Sequence, residues 1–201
     1  IKLHDGVLDL SSLTNLLNLR LDTVTMSKEC SRSLCSSISC CTDLENLYLS
    51  NIKLHDGVLD LSSLTSLTEL KLLDVTMSEE CSSTLCVSIG RCTLLTQMKL
   101  ENITLHDGVL DLSSLTDLQL LTLDNVTMLV ECCIALYCSI STCTRLLELH
   151  LRNITLDDDN MSHECRSILN LNLKHCYDLL SCDIDSDTDS ESDCEDDSCL
   201  M

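Results

Sequence analysis

Histidine-aspartate pairs are the most recognisable candidates for chemistry in this chain. His4, His55 and His106 are each followed by Asp and Gly, and a His-Asp pair could bind a metal ion or act in acid-base catalysis. All three triplets lie in the identical stretch LHDGVLDLSSLT, which returns every 51 residues. Three identical copies cannot all be active sites. We therefore predict a turn in which Asp accepts hydrogen bonds from backbone N–H groups and Gly takes a positive φ.

Cysteine is the second chemically versatile residue type, and the chain has sixteen of them. An even number suits a secreted disulfide framework, but Cys30, Cys81 and Cys132 are equivalent positions in successive 51-residue periods. If a period holds two strands, such positions lie about 10 Å apart, whereas a disulfide needs Cα atoms within about 7 Å. We therefore predict free thiols that pack as small apolar core residues in a reducing compartment, the cytoplasm.

Neither a metal site nor a cofactor is predicted. The chain has no CxxC, and the vicinal pairs Cys40-Cys41 and Cys132-Cys133 lack the spacing of a zinc site. A calcium loop that would begin at Asp185 has Ser190 where such a loop needs glycine. Calcium binding is the weaker interpretation of this segment.

Residues 178–201 form an acidic tail with ten Asp or Glu and no Lys or Arg. Such a segment cannot bury enough apolar surface to offset its ordering entropy, so we predict disorder. Four hydroxyl residues each have an acidic residue three positions later, which resembles substrates of acidophilic kinases and makes them candidate phosphorylation sites. They are Ser186, Thr188, Ser190 and Ser192.

The charge balance bears on the class of partner. The net charge is -21, and residues 1–177 alone hold 23 acidic residues against 12 Lys and Arg. A phosphate backbone would be repelled on average, so no nucleic-acid partner is predicted. No apolar run of about 18 residues and no basic-then-apolar leader occurs, so no membrane partner is predicted. The oligomeric state is left open.

A leucine pattern repeats within each period. It reads LxxLxLxx(V/I)x(L/M), the signature of leucine-rich repeats, and its steps are 28, 23, 28, 23 and 28 residues. We predict an α/β leucine-rich repeat solenoid, a horseshoe with parallel strands on the concave face, over residues 1–177. Because Ile1 falls in mid-coil, we interpret the chain as a piece of a longer protein. The pattern begins at Leu16, Leu44, Leu67, Leu95, Leu118 and Leu146.

The 28-residue coils are predicted to contain a helix and the 23-residue coils a turn with an extended or 3₁₀ arm. Spacings of 4, 4 and 3 put Cys30, Leu34, Ile38 and Cys41 on one buried helix stripe, which recurs in the next two periods. Ser27 and Ser78 stand at N-cap positions. In the third copy Leu129 replaces the serine, so that helix should begin less firmly.

The strands are predicted to present three rows of outward-facing residues that differ from copy to copy. The central row would form a cationic-aromatic stripe about 24 Å long over six strands, flanked by acidic residues. Solenoid strand faces commonly bind partners, so we predict a protein ligand here; a merely solubilising surface is the alternative. The predicted partner-binding residues are Arg20, Asp22, Tyr48, Glu69, Lys71, Lys99, Glu101, Thr122, Asp124, His150 and Arg152.

The six repeats and the cysteine-bearing helices resemble the ribonuclease-inhibitor-type leucine-rich repeats of the NOD-like innate immune receptors, which carry a NACHT domain. The resemblance implies a non-enzymatic array that senses ligands or restrains a receptor. The alternative is a stand-alone inhibitor or adaptor similar to ribonuclease inhibitor. An enzyme is not predicted, since no nucleophile-base pair or phosphate-binding loop is recognisable.

Overall fold

The computed structural model describes residues 2–3, 8–106 and 108–156. Within them the chain forms nine strands and three helices of eleven residues each. The strands are β1 (Lys2–Leu3), β2 (Asn18–Asp22), β3 (Thr25–Met26), β4 (Asn46–Leu54), β5 (Glu69–Met77), β6 (Gln97–Leu105), β7 (Leu120–Met128), β8 (Glu148–Arg152) and β9 (Thr155–Leu156). The helices are α1 (Lys28–Ile38), α2 (Glu79–Ile89) and α3 (Val130–Ile140).

The strands pair in parallel, which confirms the α/β class. Seven of them form one sheet in the order β2-β4-β5-β6-β7-β8, with β9 also beside β7, and β1 pairs with β3. Connections that contain a helix alternate along the sheet with connections that contain none. We call these the helical connections and the short connections, the latter being residues 8–17, 55–68 and 106–119.

The pairing register follows the leucine pattern. Leucines of equivalent position stand side by side, as Leu47 does with Leu19 and Leu70. Side chains alternate across a strand, so in β4 Leu47 and Leu49 are buried while Tyr48 between them is only half-buried. One face of the sheet is therefore covered by the core. The other, the open face, carries the row that begins with Arg20 and Tyr48 and the two rows beside it.

The helices bury the predicted stripe and more. All four stripe positions are buried in each of the three copies. A second line of buried residues, Cys35, Cys86 and Tyr137, lies beside it. These three positions are also 51 residues apart in the sequence, so the repeat could have revealed this second line. The line is harder to recognise because its third member is aromatic.

The helix starts are as predicted. Ser27 Oγ accepts a hydrogen bond from the backbone N–H of Cys30 at 3.2 Å, and Ser78 Oγ accepts one from Cys81 at 3.3 Å. Leu129 makes no side-chain cap hydrogen bond. Nevertheless α3 is as long as α1 and α2, because burial of an apolar face stabilises a packed helix more than one cap does.

The short connections consist of successive tight turns, as predicted. In residues 8–17 the backbone N–H of Leu13 bonds to Leu10 O at 2.8 Å, and that of Leu16 bonds to Leu13 O at 3.0 Å. The same two bonds recur in 55–68 and in 106–119. Leucine at every third position of a 3₁₀-like run puts these side chains on one line, which faces the core.

The predicted glycine conformation is wrong. Gly57 and Gly108 do not have a positive φ, and Gly6 lies outside the described residues. The left-handed positions are instead one residue before the Val or Ile of the leucine pattern, within strands β4 to β7 and directly after β2 and β8, where short polar side chains tolerate them. They are Thr23, Asn51, Asp74, Asn102, Asn125 and Asn153, with φ between 50° and 53°.

Other predictions concern residues that the structure does not describe. The end of the array in 157–177, the tail 178–201 and its candidate phosphorylation sites all lie there. In the described ranges, no helix combines the length and apolar character that crossing a bilayer requires.

Candidate recognition surface

Three rows of residues cross the open face in register. The central row is continuous over six strands, since each member pairs with the next: Arg20, Tyr48, Lys71, Lys99, Thr122 and His150. The row on one side is Asp22, Ser50, Leu73, Glu101, Asp124 and Arg152. The row on the other side is Asn18, Asn46, Glu69, Gln97, Leu120 and Glu148. The sheet thus brings all eleven predicted partner-binding residues onto one surface.

The lysines of the central row are not free cations. Lys71 Nζ forms an ion pair with Glu69, and Lys99 Nζ lies 2.7 Å from Glu101 Oε2. Each partner is two residues away on the same strand, so both side chains project from the same face. About one third of each of these four side chains is exposed. The middle of the expected cationic stripe therefore consists of two ion pairs.

The two ends of the central row differ from its middle. At one end the Arg20 guanidinium carbon lies 4.2 Å from the centre of the Tyr48 ring, which is a cation-π contact. At the other end His150 Nε2 lies 3.5 Å from Glu148 Oε2.

Two amide side chains beside Arg20 were not among the predicted site residues. Asn46 Nδ2 donates a hydrogen bond to Asn18 Oδ1 at 2.6 Å, across strands β2 and β4. The only sequence signal is that two neighbouring coils have the same residue type at one outward position. Together with Arg20, Tyr48 and the Lys71–Glu69 pair, these amides line a hollow of about 340 Å³.

A ladder of short polar side chains lies beyond the row that begins with Asp22. Asn102 Nδ2 donates to Asp74 Oδ1 at 2.8 Å, and Asn125 Nδ2 donates to Asn102 Oδ1 at 2.7 Å. Asn153 Nδ2 reaches Asp124 Oδ1 at 3.4 Å. The first two bonds link consecutive strands at residues with positive φ. All three bonds border the open face beside the row that begins with Asp22.

The second His-Asp-Gly triplet, His55-Asp56-Gly57, is the one that the structure describes in full. Asp56 forms ion pairs with Lys28 at 3.2 Å and Arg32 at 3.3 Å, instead of the predicted bonds to backbone N–H groups. The hydrogen bond from Lys28, with help from Arg32, lowers the pKa of the Asp56 carboxyl. The turn is made by the next aspartate of the stretch, since Asp60 Oδ1 accepts the backbone N–H of Ser62 at 2.9 Å. Residues 8–106 and 108–156 contain no cluster of three or more His, Cys, Asp or Glu side chains suited to a metal ion.

A hollow of about 580 Å³ lies on the helical side between α2 and the short connection 55–68. Asp60 and Ser62 in its lining recur as Asp9 and Ser11 and as Asp111 and Ser113, and every copy makes the same turn bond. These polar groups are therefore explained by the turn, and we place the candidate site on the open face.

The cysteines of the described segments are free thiols, and nine of the eleven are buried. Burial raises the pKa of Cys35 and Cys92 to about 12 and that of Cys133 to about 11. The predicted core positions Cys30, Cys41, Cys81, Cys92, Cys132 and Cys143 are all buried. Cys40 and Cys138 are exposed.

No protein-family model matches the chain, and no curated protein matches it significantly.

Proposed function

We propose that the chain is a leucine-rich repeat solenoid that recognises a protein ligand on the open face of its sheet. More specifically, the chain acts in the cytoplasm, without catalysis, as the sensing or autoinhibitory array of a receptor resembling the NOD-like receptors. The six equivalent strands, the alternating connections and the predominantly buried thiols support it.

The contrast between repeated and varied positions carries the proposal. LHDGVLDLSSLT is identical in all three copies, and its leucines in the second and third copies are buried. The central row of the open face instead reads Arg, Tyr, Lys, Lys, Thr and His. Positions that build the scaffold must stay the same from copy to copy. Positions on a binding surface give specificity when they vary.

The ion pairs of the open face suit a ligand with charges of both signs. Lys71 and Lys99 are already held by carboxylates, so less side-chain entropy is lost when a ligand contacts them. A ligand with acidic and basic groups in alternation would complement the pairs, whereas a uniformly anionic one would meet Glu69, Glu101 and Asp124.

The test is charge reversal on the open face. Lys71→Glu with Lys99→Glu places like charges beside Glu69 and Glu101 and removes the positive half of both pairs. We expect the dissociation constant for a protein ligand purified from native extract to rise at least about tenfold, or about 1.4 kcal/mol, measured by calorimetry.

Two controls accompany this variant. Glu79→Lys with Arg91→Glu reverses two exposed charges on the helical side and should leave the affinity unchanged. Exchanging Glu69 with Lys71 and Glu101 with Lys99 keeps both ion pairs but reverses their polarity. It should weaken binding without lowering the melting temperature. Equal loss in the helical-side variant would place the ligand there instead.

The stand-alone inhibitor or adaptor is distinguished by what accompanies the array in the full-length protein. An attached NACHT domain favours the receptor. A full-length product without effector domains, which forms a one-to-one complex with its ligand, favours the inhibitor.

A further inference from the structure

Arg20 differs from the lysines of the central row in what its side chain contacts. Its guanidinium stacks on Tyr48, and it forms no ion pair within the described residues. The nearest acidic residue of its own strand, Asp22, accepts a hydrogen bond from Thr23 Oγ1 at 3.1 Å. The exposed Arg20 therefore retains N–H donors for a ligand, while the tyrosine ring fixes the orientation of their plane.

The hollow beside Arg20 has the size and the groups to hold a short piece of peptide. Its volume of about 340 Å³ is at the small end of ligand pockets and suits one or two residues. Asn18 and Asn46 lie in one row with Glu69, and Arg20, Tyr48 and Lys71 lie in the row beside it. Amides next to a guanidinium can bond the backbone on either side of an acidic side chain.

The charges of the hollow favour a carboxylate over a phosphate. Arg20 and Lys71 against Glu69 leave a single net positive charge. A carboxylate balances that charge and matches the fork of the guanidinium, whereas a phosphate dianion carries one negative charge more than the hollow balances. Residues 8–106 and 108–156 carry nine Lys or Arg and seventeen Asp or Glu, so an acidic segment as a whole would be repelled.

Building on the proposed recognition function, we propose that Arg20 and Tyr48 anchor one Asp or Glu side chain of the protein ligand. The carboxylate accepts two N–H groups of Arg20, and Asn18 and Asn46 bond the ligand backbone beside it. The residues that flank this acidic residue in the ligand are basic or uncharged.

A random dodecapeptide library displayed on phage tests the anchor on the whole chain. Selection on the wild-type protein should enrich peptides that share one Asp or Glu at a fixed position. Changing that residue to Gln or Asn in a selected peptide should weaken its binding about tenfold. On Arg20→Gln protein the same peptide change should have almost no effect, because both changes remove the same ion pair.

Matched variants separate the anchor from general folding effects. Tyr48→Phe keeps the ring and should bind nearly as well as wild type, whereas Tyr48→Leu should lose about threefold. Replacing the acidic residue of the peptide with phosphoserine should weaken binding. Tighter binding of the phosphopeptide would overturn the choice of a carboxylate.

Failure of the anchor is distinguishable from failure of the proposed function. If the selected peptides lose affinity in the Lys71→Glu/Lys99→Glu protein but not in Arg20→Gln, the open face binds ligand and the anchor is wrong. If neither variant affects them, or if no peptide is enriched, both the recognition surface and its anchor are contradicted.

Discussion

At the scale of single residues, the buried cysteines join neighbouring connections. The thiols of Cys41, Cys92 and Cys143 each lie within hydrogen-bond reach of the carbonyl oxygen of the leucine 31 residues earlier, at 3.8, 3.5 and 3.6 Å, and share their proton with the serine carbonyl four residues earlier. Each bond links the end of a helix to the preceding short connection. Cysteine suits this position because it is small, apolar and able to donate weakly.

The same burial predicts loss of stability at alkaline pH. The pKa of Cys35 and Cys92 is raised to about 12 from an ordinary value of 9.0. Above about pH 9 the unfolded chain releases these protons and the folded chain retains them, so stability is complete below pH 9 and falls as the pH rises toward 12. Between pH 8 and pH 10 we expect a loss of about 1.4 kcal/mol for each of these two thiols, measured by urea unfolding with reductant present.

The control for this pH effect is Cys35→Ala with Cys92→Ala. It should be less stable at pH 8 but should lose less stability than wild type between pH 8 and pH 10. An equal loss in both proteins would mean that other groups cause the alkaline effect.

At the scale of elements, two glycines allow the helices to pack closely on the short connections. A Cβ atom on Gly57 would lie 2.6 Å from Cys35 Sγ and 2.9 Å from Ser31 O, both in α1. A Cβ on Gly108 would lie 2.6 Å from Cys86 Cβ in α2. The glycines are therefore required by the distance between elements, and their φ is ordinary.

We expect Gly57→Ala and Gly108→Ala each to lower the free energy of unfolding by about 2 kcal/mol, because the helix must shift. Adding Cys35→Ala should partly rescue Gly57→Ala, since it removes the closest atom. Adding Cys86→Ala should not rescue Gly108→Ala, because the clashing Cβ remains. Thermal unfolding measures all four variants.

Gly90→Ser is the control for these glycine changes. The equivalent positions Ser39 and Ser141 already carry serine, and the nearest atom to a Cβ on Gly90 is Asp111 O at 3.1 Å. This variant should be close to neutral. If it destabilises as much as Gly108→Ala, close packing does not explain the glycines.

The glycines also show why part of the structure could not be predicted from the sequence. Because Gly57 and Gly108 recur 51 residues apart, the sequence shows that they share an environment. It does not show which environment, because a positive φ and a close approach between two elements both select glycine. The helix stripe and the caps of Ser27 and Ser78 were predictable, because helical spacing and N-cap chemistry depend only on neighbouring residues.

At the scale of the whole molecule, the parallel register of the strands determines where each residue of a repeat lies on the surface. The three rows of the open face were predictable, since equivalent residues of successive strands must stand side by side. The partners of Lys71 and Lys99 were not, because each lysine can reach several neighbours on the face and side-chain packing decides between them. The hollow beside Arg20 was missed for the same reason.

The most direct test of the account is a scan of all single substitutions over residues 8–156 with two readouts. One readout is the amount of folded protein displayed on yeast, and the other is binding of a library-selected peptide. We expect positions that lose binding but keep folding to cluster on the open face around Arg20, Tyr48, Lys71 and Lys99. Substitutions at the buried leucines should lose both. Clustering of the binding-specific positions on α1, α2 and α3 would contradict the account.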